Sequence, residues 1–546
     1  MADPIRPAHS LTTRLLLVWA LLSGAASAVA QPSEESAGSL EGQLLLTPDV
    51  FRAPDGSEID GERGLFFVKE NRANPDSRLI AFHFIRFPAQ NATNNSPIFL
   101  VPGGPGSEYR FDTAPRIAMA NFFSRNQDAV VISQRGNPSS PGLVPNLRFR
   151  ADRSYPLDTP ASVTAMMARA GASYEAGLND WRERGVDVAG YDIINIVDDV
   201  YELRAALGYD KMSLRGCSFG SHFSFSYLKR WPETVDRALL SGVEPIDYGY
   251  DSAEFLWKSM ERLAAQADAD EDLQPFLPEG GLMAALESVY AKLESGPMTV
   301  TVPDPASGAQ VDVVIGPDDL RMGAIRSLGQ FGPRDDTENL TLWPQFILDM
   351  YEGDFRVLAS VALQSRMGED NSKLMTLLID NSLGISEARD AKLLAEEERR
   401  FVDPNWWYRS TRELSAAPVI DDAFRADWTI DIPVILVSGD LDWSTPIENA
   451  QAGASQLARG KLVTVEGGTH CPMHRQDQLP GQFPQINDQI GAFLTEEFAD
   501  DAAIDRYITA LPDTVTLQGL DFKPADEVNV YDIMFRCFTQ DQCDLD

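Results

Sequence analysis

Three side chains in this 546-residue sequence have the types and settings for nucleophilic catalysis: Ser218, His470 and Asp442. Ser218 is the centre of Gly216-Cys217-Ser218-Phe219-Gly220, which follows a short strand pattern, Met212 to Arg215, and opens onto a helical one. In that setting Gly-x-Ser-x-Gly is a turn tight enough to strain the serine backbone and push its hydroxyl out of the top of a sheet. Gly216 and Gly220 are then needed because strand and helix pass too close for side chains. The competing reading is a serine in an ordinary turn, which the pattern by itself leaves open.

A serine hydroxyl needs a base for its proton, and the base needs a carboxylate to fix its tautomer. Of the five histidines, His9 lies in an amino-terminal leader pattern, His83 within an early strand, and His222 one turn into the helix after the serine, facing away from it. His470 follows a strand through Gly467-Gly468-Thr469, a loop that returns to the top of the sheet; His474 is its rival. The acid is expected from a loop after a strand between serine and histidine, here Val437 to Pro446, with Asp442 preferred and Asp440 the alternative. An oxyanion needs backbone donors. One is the amide of Phe219, and the other is sought in Pro102-Gly103-Gly104-Pro105-Gly106-Ser107, where only the glycines or Ser107 can donate. That segment lacks the Gly-Lys-Ser/Thr ending of a phosphate loop, and no His-Glu-x-x-His spacing occurs, so neither a metal nor a cofactor is expected.

To hold these residues the chain needs a sheet. Eight strand patterns are legible: Gly64 to Val68, Leu79 to Ile85, Pro97 to Val101, Ala129 to Ile132, Met212 to Arg215, Arg237 to Ser241, Ile432 to Val437 and Lys461 to Val465. Several are unbroken apolar runs, as in strands buried on both faces, and helical stretches such as Ile194 to Leu207 alternate with them. These features predict an α/β fold with a mostly parallel eight-stranded sheet, and the order Ser218, Asp442, His470 is the one α/β-hydrolases use. Residues 40–243 and 427–500 are read as its two parts. Residues 244–426 read as an inserted, mostly helical cap over the carboxyl ends of the strands, with helices at Ala253 to Ala265, Leu282 to Leu293 and Glu387 to Arg400. A hairpin, Thr299 to Val302 and Gln310 to Ile315, sits among them. Residues 501–546 are an acidic tail.

Residues 1–30 have the pattern of a cleaved secretory signal: Arg6 and Arg14, an apolar run from Leu15 to Leu22, then Ala28-Val29-Ala30. The run is far shorter than the roughly 20 residues a membrane span needs, so export to a periplasm or the medium is expected, without a membrane anchor. The net charge of -36 argues against nucleic-acid and anionic lipid partners and suits a soluble exported protein. Attraction of cationic substrates is the sharper explanation. Four cysteines fit an oxidising compartment. Cys537 and Cys543 are close enough in sequence to close a small loop. Cys217 and Cys471 each adjoin a proposed catalytic residue and form the other pairing to consider, although spacing does not fix connectivity.

Together these residues resemble the secreted proline iminopeptidase and tripeptidyl aminopeptidase-like branch of the α/β-hydrolases. The matching segments are Phe67-Val68-Lys69-Glu70-Asn71-Arg72, Gly103-Gly104-Pro105-Gly106, Gln134-Arg135-Gly136, Gly216 to Ser221, Gly439 to Asp442 with Thr445-Pro446, and Gly468-Thr469-His470. The resemblance implies Gly104 as the second oxyanion donor and a cap whose acidic residues bind a substrate's free amino terminus; Glu244 is a candidate, with an ordinary surface glutamate as the alternative. The chain departs from the family at Pro102, Ser133 and Pro138, in loops that shape the pocket. The expectation is an exported serine hydrolase that removes residues from the free amino ends of peptides through an acyl-enzyme. A carboxylesterase is the second reading and a non-catalytic binding protein the third. An acidic end to the pocket would favour peptides; an apolar one would favour esters.

Overall fold

A computed structural model describes residues 40–137, 146–329, 336–367, 369–474, 483–517, 519–522 and 529–533. Its strands are β1 (Leu44–Arg52), β2 (Glu58–Lys69), β3 (Leu79–Phe87), β4 (Ile98–Val101), β5 (Ala129–Ile132), β6 (Arg148–Asp152), β7 (Met212–Cys217) and β8 (Val235–Ser241), followed by β9 (Met298–Pro303), β10 (Gln310–Ile315), β11 (Glu369–Lys373), β12 (Val434–Gly439), β13 (Gly460–Glu466) and β14 (Thr514–Thr516). The main sheet has ten strands in the order β1-β2-β3-β5-β4-β7-β8-β12-β13-β14. It is antiparallel from β1 to β5 and parallel from β5 onward.

The expected count of eight is therefore corrected to ten. The additions are the edge strands. Pro48 and Asp49 interrupt the apolar pattern of β1, which is tolerable because β1 pairs on one side only. β14 has three residues, too few to show a period.

The unbroken apolar runs have a two-sided explanation. Phe99 and Val101 of β4, Val130 and Ile132 of β5, and Val434 and Leu436 of β12 enter one core. Their neighbours Ile98, Leu100, Ala129, Val131, Ile435 and Val437 enter the other. The first core is closed by helices α1 (Ile193–Ala206) and α2 (Phe219–Arg230). Asp192 caps α1, accepting the Asn195 N–H, and Ile196, Val197, Val200 and Leu203 form its buried face.

Between β8 and β12 the chain builds a third core. Helix α3 (Ala253–Ala269), the helices that follow it and the β9/β10 hairpin enclose Leu256, Met260, Leu286, Trp343 and Phe346. Helix α4 (Leu374–Leu383) differs from a simple cap element, because Leu374, Met375, Leu377 and Leu378 join the core of the sheet. β11, just before it, pairs with β6 and ties this segment to the first half of the chain. The tail takes part in the fold as well: Phe522, Val530, Tyr531 and Ile533 pack into the third core. The signal pattern and the Cys537 and Cys543 pair lie outside the described residues. Among the described residues no helix is long and apolar enough to cross a membrane.

Arg135, fully buried, locks the first half of the sheet. Its Nε lies 2.7 Å from Asp199 Oδ2, its Nη2 donates to the other oxygen, and its Nη1 donates to the carbonyls of Glu70 and Gly190. Asp199, on α1, also takes Arg72 at 2.7 Å. Removing one partner strands a buried charge, so Asp199→Ala should cost about 3–5 kcal/mol and lower the urea midpoint followed by circular dichroism. A midpoint equal to that of the parent protein would show that its three backbone carbonyl partners, Lys69, Glu70 and Gly190, alone suffice for Arg135.

Candidate active site

The last residue of β7 is Cys217, and Ser218 follows with φ 57 and ψ -129. An L-residue avoids this region at a cost of roughly 1–3 kcal/mol, so its neighbours must impose it. A Cβ on Gly216 would lie 2.3 Å from the Gly220 carbonyl oxygen, and one on Gly220 would lie 2.3 Å from that of Val101. The Ser218 N–H donates to the Ser241 carbonyl at 3.0 Å, pinning the turn to the end of β8. Phe219 is the first residue of α2, where a helix leaves its N–H groups without acceptors and carries partial positive charge.

Facing Ser218 is the loop after β4. A Cβ on Gly103 would sit 3.2 Å from Ser218 Cβ and 3.7 Å from its Oγ. Gly104 has φ +116, and a Cβ there would lie 2.8 Å from the nitrogens of Gly106 and Ser107. Gln134 holds this loop by accepting the Gly106 N–H at 2.6 Å, and Asn137 Nδ2 donates to the Gly106 carbonyl at 3.3 Å. From the other side, Lys373 Nζ donates to the same carbonyl at 2.9 Å and Thr376 Oγ1 donates to that of Pro105 at 2.9 Å. Two motifs noticed separately, Gly-Gly-Pro-Gly and Gln-Arg-Gly, are thus one construction: Gln134 fixes the loop and Arg135 fixes Gln134's neighbours.

Asp442 and His470 meet as the sequence order suggests. His470 Nδ1 lies 3.0 Å and 3.1 Å from the two oxygens of Asp442, whose side chain is fully buried. The carboxylate also accepts the N–H groups of Ser444 and Thr445 at 2.9 and 2.8 Å and the Thr445 hydroxyl at 2.7 Å. A carboxylate so bound keeps one orientation and leaves the other imidazole nitrogen, Nε2, to act as acceptor. Asp440 does something else: it accepts the Gly467 N–H at 2.7 Å and shapes the base's loop. His222 is buried with Nε2 on the Ile246 carbonyl at 2.9 Å, and burial pushes its pKa down to about 4. Burial, with Arg63 nearby, lowers His83 to about 4 as well. The His222 backbone N–H donates to the Ser218 carbonyl at 3.3 Å, while its ring is held on the Ile246 carbonyl. The side chain of His474 lies outside the described residues.

Cys217 and Cys471 are joined by a disulfide, with their Cα atoms 6.0 Å apart. The bond links the residue before Ser218 to the residue after His470. Sequence reasoning passed over Gly242, which makes room for it: a Cβ there would lie 2.6 Å from Cys471 Sγ and 3.0 Å from His470 Cε1. A glycine just past β8, in Ser241-Gly242, was the available signal. Among the described residues Cys217, His470 and Cys471 are the group whose donor atoms converge, within 4.8 Å of one another, but two of the three are bonded together and hold no thiolate for a metal.

A buried cluster of carboxyl groups lies close to this site. Glu244 follows β8; its N–H donates to Ser221 Oγ at 2.9 Å and its side chain is 16% exposed. Burial, then Asp251, Asp380 and Asp442, push its pKa well above the usual carboxylate range. Burial raises Asp251 to about 7, with Asp442 adding to the rise and Arg389 and His470 opposing it. Asp380, on α4, is pushed well up by burial and by Asp251, against a hydrogen bond from Tyr408. Asp251 Oδ1 and Asp380 Oδ2 are buried without a hydrogen-bond partner among the described residues. Of this group only Glu244 was legible, because Asp251 and Asp380 reach the site through the docking of α3 and α4.

Two family matches divide this site between them. Residues 96–303, which carry Gly104, Ser218 and Glu244, match the alpha/beta hydrolase fold. Residues 407–480, which carry Asp442 and His470, match the TAP-like protein family. The chain is 24% identical over 531 residues to the serine protease Hip1 of Mycobacterium tuberculosis and of Mycobacterium bovis, covering 88% of this chain and 95% of the relative. Among solved structures it is similar to a proline iminopeptidase of Mycobacterium smegmatis, at 11% identity over 82% of this chain and 98% of that one, with a TM-score of 0.35. Another is a thermophilic esterase of Thermogutta terrifontis, at 14% identity over 78% and 97%, with a TM-score of 0.31. With its strained serine turn, its sheet order and both family matches, the chain is a serine hydrolase with the α/β-hydrolase fold and a TAP-like segment.

Proposed function

We propose that the chain is an exported serine peptidase that releases residues from peptides with a free amino terminus. Ser218 attacks the scissile carbonyl, His470 takes its proton and returns it to the leaving amine, and Asp442 orients His470. The amides of Gly104 and Phe219 hold the oxyanion. Water then repeats the sequence on the acyl-enzyme, so no cofactor enters the reaction. The observation that carries the peptide reading is the buried carboxyl cluster near Asp442 and His470. Three carboxyl groups, Glu244, Asp251 and Asp380, interact electrostatically close to Asp442 and His470, and two of their buried oxygens have no partner among the described residues. Buried acceptors left unpaired are costly, and an ammonium group supplies both the hydrogen bonds and the countercharge. An ester substrate offers neither. Export is supported by the residue 1–30 pattern and by the buried Cys217–Cys471 bond, since disulfides persist in oxidising compartments.

A panel of fluorogenic peptides with free and blocked amino termini, beside a short-chain ester, tests this directly. Free-amine peptides should be cleaved best. Glu244→Gln should lower kcat/KM for them by about 10–100-fold, the value of a charged hydrogen bond, while ester turnover stays within a few-fold. Ser218→Ala should lower turnover of every substrate by at least about 10⁴-fold. Equal cleavage of blocked and free peptides would overturn the amine reading, and ester turnover alone would move the assignment to a carboxylesterase.

The raised carboxyls also predict a pH dependence of stability. Asp251 titrates near 7 in the fold and near 3.8 without it, so between those values the folded state binds the extra proton and stability falls as pH rises. Asp251→Asn should therefore stabilise the free protein at pH 8 by about 4 kcal/mol, with the gain shrinking toward pH 4. Urea unfolding at both pH values checks this; equal stability of the two proteins at pH 8 would contradict it.

A further inference from the structure

The disulfide sits where a structural staple has no need to be. Cys217 ends β7 and Cys471 follows β13, and two strands, β8 and β12, lie between those strands in the sheet. The loop that carries His470 must therefore reach back across two strand ends to meet Ser218. The Asp442 contact fixes the imidazole relative to its own side of the sheet, since β12 and β13 are neighbours. The disulfide fixes that side relative to the nucleophile. It is the covalent cross-link among the described residues, and it spans 254 positions of sequence.

Backbone conformation singles out the same two points. Among the described residues only Ser218 (φ 57) and Cys471 (φ 51) hold a positive φ without being glycine. Strained residues of this kind persist only where the surroundings over-determine them. Here one bond ties the two strained segments together, and Gly242 beneath it has no side chain to intrude.

We propose that the Cys217–Cys471 disulfide is a positioning device for the reaction, so that turnover depends on this pair being oxidised. The proposal rests on Ser218, His470 and Asp442 acting as nucleophile, base and acid. A dithiol reductant would convert the bond to two thiols, itself closing to a cyclic disulfide, so that two electrons and two protons pass to the cysteine pair. Two consequences follow. The base's loop loses its tie to the nucleophile's strand. In addition, Cys471 Sγ lies 3.7 Å from His470 Nε2, so a freed thiol becomes a hydrogen donor to the nitrogen that must accept the Ser218 proton, which the disulfide sulfur is not. Displacements of about 1 Å in such a site cost on the order of 100-fold in rate. Held reduced, as in a cytoplasm, the chain would be folded and nearly silent; oxidation would switch it on.

The test uses the full chain with Cys537→Ser and Cys543→Ser, so that thiol counts report one pair. The protein is treated with dithiothreitol, and thiols, near-UV circular dichroism, kcat and KM are followed together on the best substrate, peptide or ester. As two thiols appear, kcat should fall about 100-fold with KM and the spectrum unchanged, and reoxidation should restore it. Two thiols with kcat retained would overturn the proposal, as would a kcat that falls only when the spectrum collapses. If the buried pair resists reduction, the Cys217→Ala/Cys471→Ala double variant decides. A native spectrum with kcat down about 100-fold supports positioning. An unchanged kcat, or joint loss of fold and turnover, marks a mere staple and overturns it. Ser218→Ala, measured in the oxidised protein, separates the two readings: if it stays active the triad assignment fails, whatever the cysteines do.

Discussion

Everything at this site depends on a backbone turn that an ordinary residue resists. Ser218 sits at φ 57 and ψ -129, and its hydroxyl projects only while that conformation is held. The holding is distributed. Gly216 and Gly220 let β7, α2 and the end of β4 pack closely around the turn, and Gly103 lets the loop after β4 approach the serine. The parallel pairing of β7 with β4 and β8 fixes the direction from which they approach. The Ser241 carbonyl takes the Ser218 N–H, and the disulfide ties the adjoining residue to the loop of the base. A large two-sided core gives this frame the stiffness to carry the strain, which is how strained functional turns survive in general.

The second cost in the structure is electrostatic. Carboxyl groups are seldom buried together, because desolvation and mutual repulsion both oppose it. Glu244, Asp251 and Asp380 are nevertheless gathered where the sheet core meets the third core, and Asp442 adds a further negative neighbour. The excess of acid over the whole chain, a net charge of -36, does not require this placement; solubility is served by acid on the surface. Acid turned inward close to Asp442 and His470 is what the proposed amine recognition would use, and perturbed titrating groups tend to concentrate at functional sites. On the proposals made above, disulfide and carboxyl cluster play complementary parts, one holding the reacting groups in register and the other choosing what is presented to them.

How much of this could be read from the sequence follows from how local each feature is. Ser218, Asp442 and His470 were legible because each lies within a few residues of a strand end and their order along the chain is itself informative. The central strands were legible because double burial leaves unbroken apolar runs. The edge strands were not, since β1 contains Pro48 and Asp49 and β14 is only three residues long. Asp251 and Asp380 were invisible for a different reason. Nothing in their local sequence marks them; they become neighbours of Glu244 only when α3 and α4 dock, and α4 docks on the sheet rather than on the helical insertion. Cys217 and Cys471 stood out by position, each beside a catalytic candidate, yet pairing is a fact of three dimensions. Gly242 was overlooked because a glycine after a strand has many causes, and only the atoms crowding it reveal this one.

The most direct measurement of the account is the site of covalent attack by a fluorophosphonate probe, which reacts only with a serine activated by its neighbours. The folded, oxidised protein is labelled with a limiting amount of probe, digested and mapped by mass spectrometry. A single adduct on Ser218 is predicted. An adduct on another residue, or none on a protein that turns over substrate, would contradict the assignment of Ser218 as the nucleophile around which the site is built.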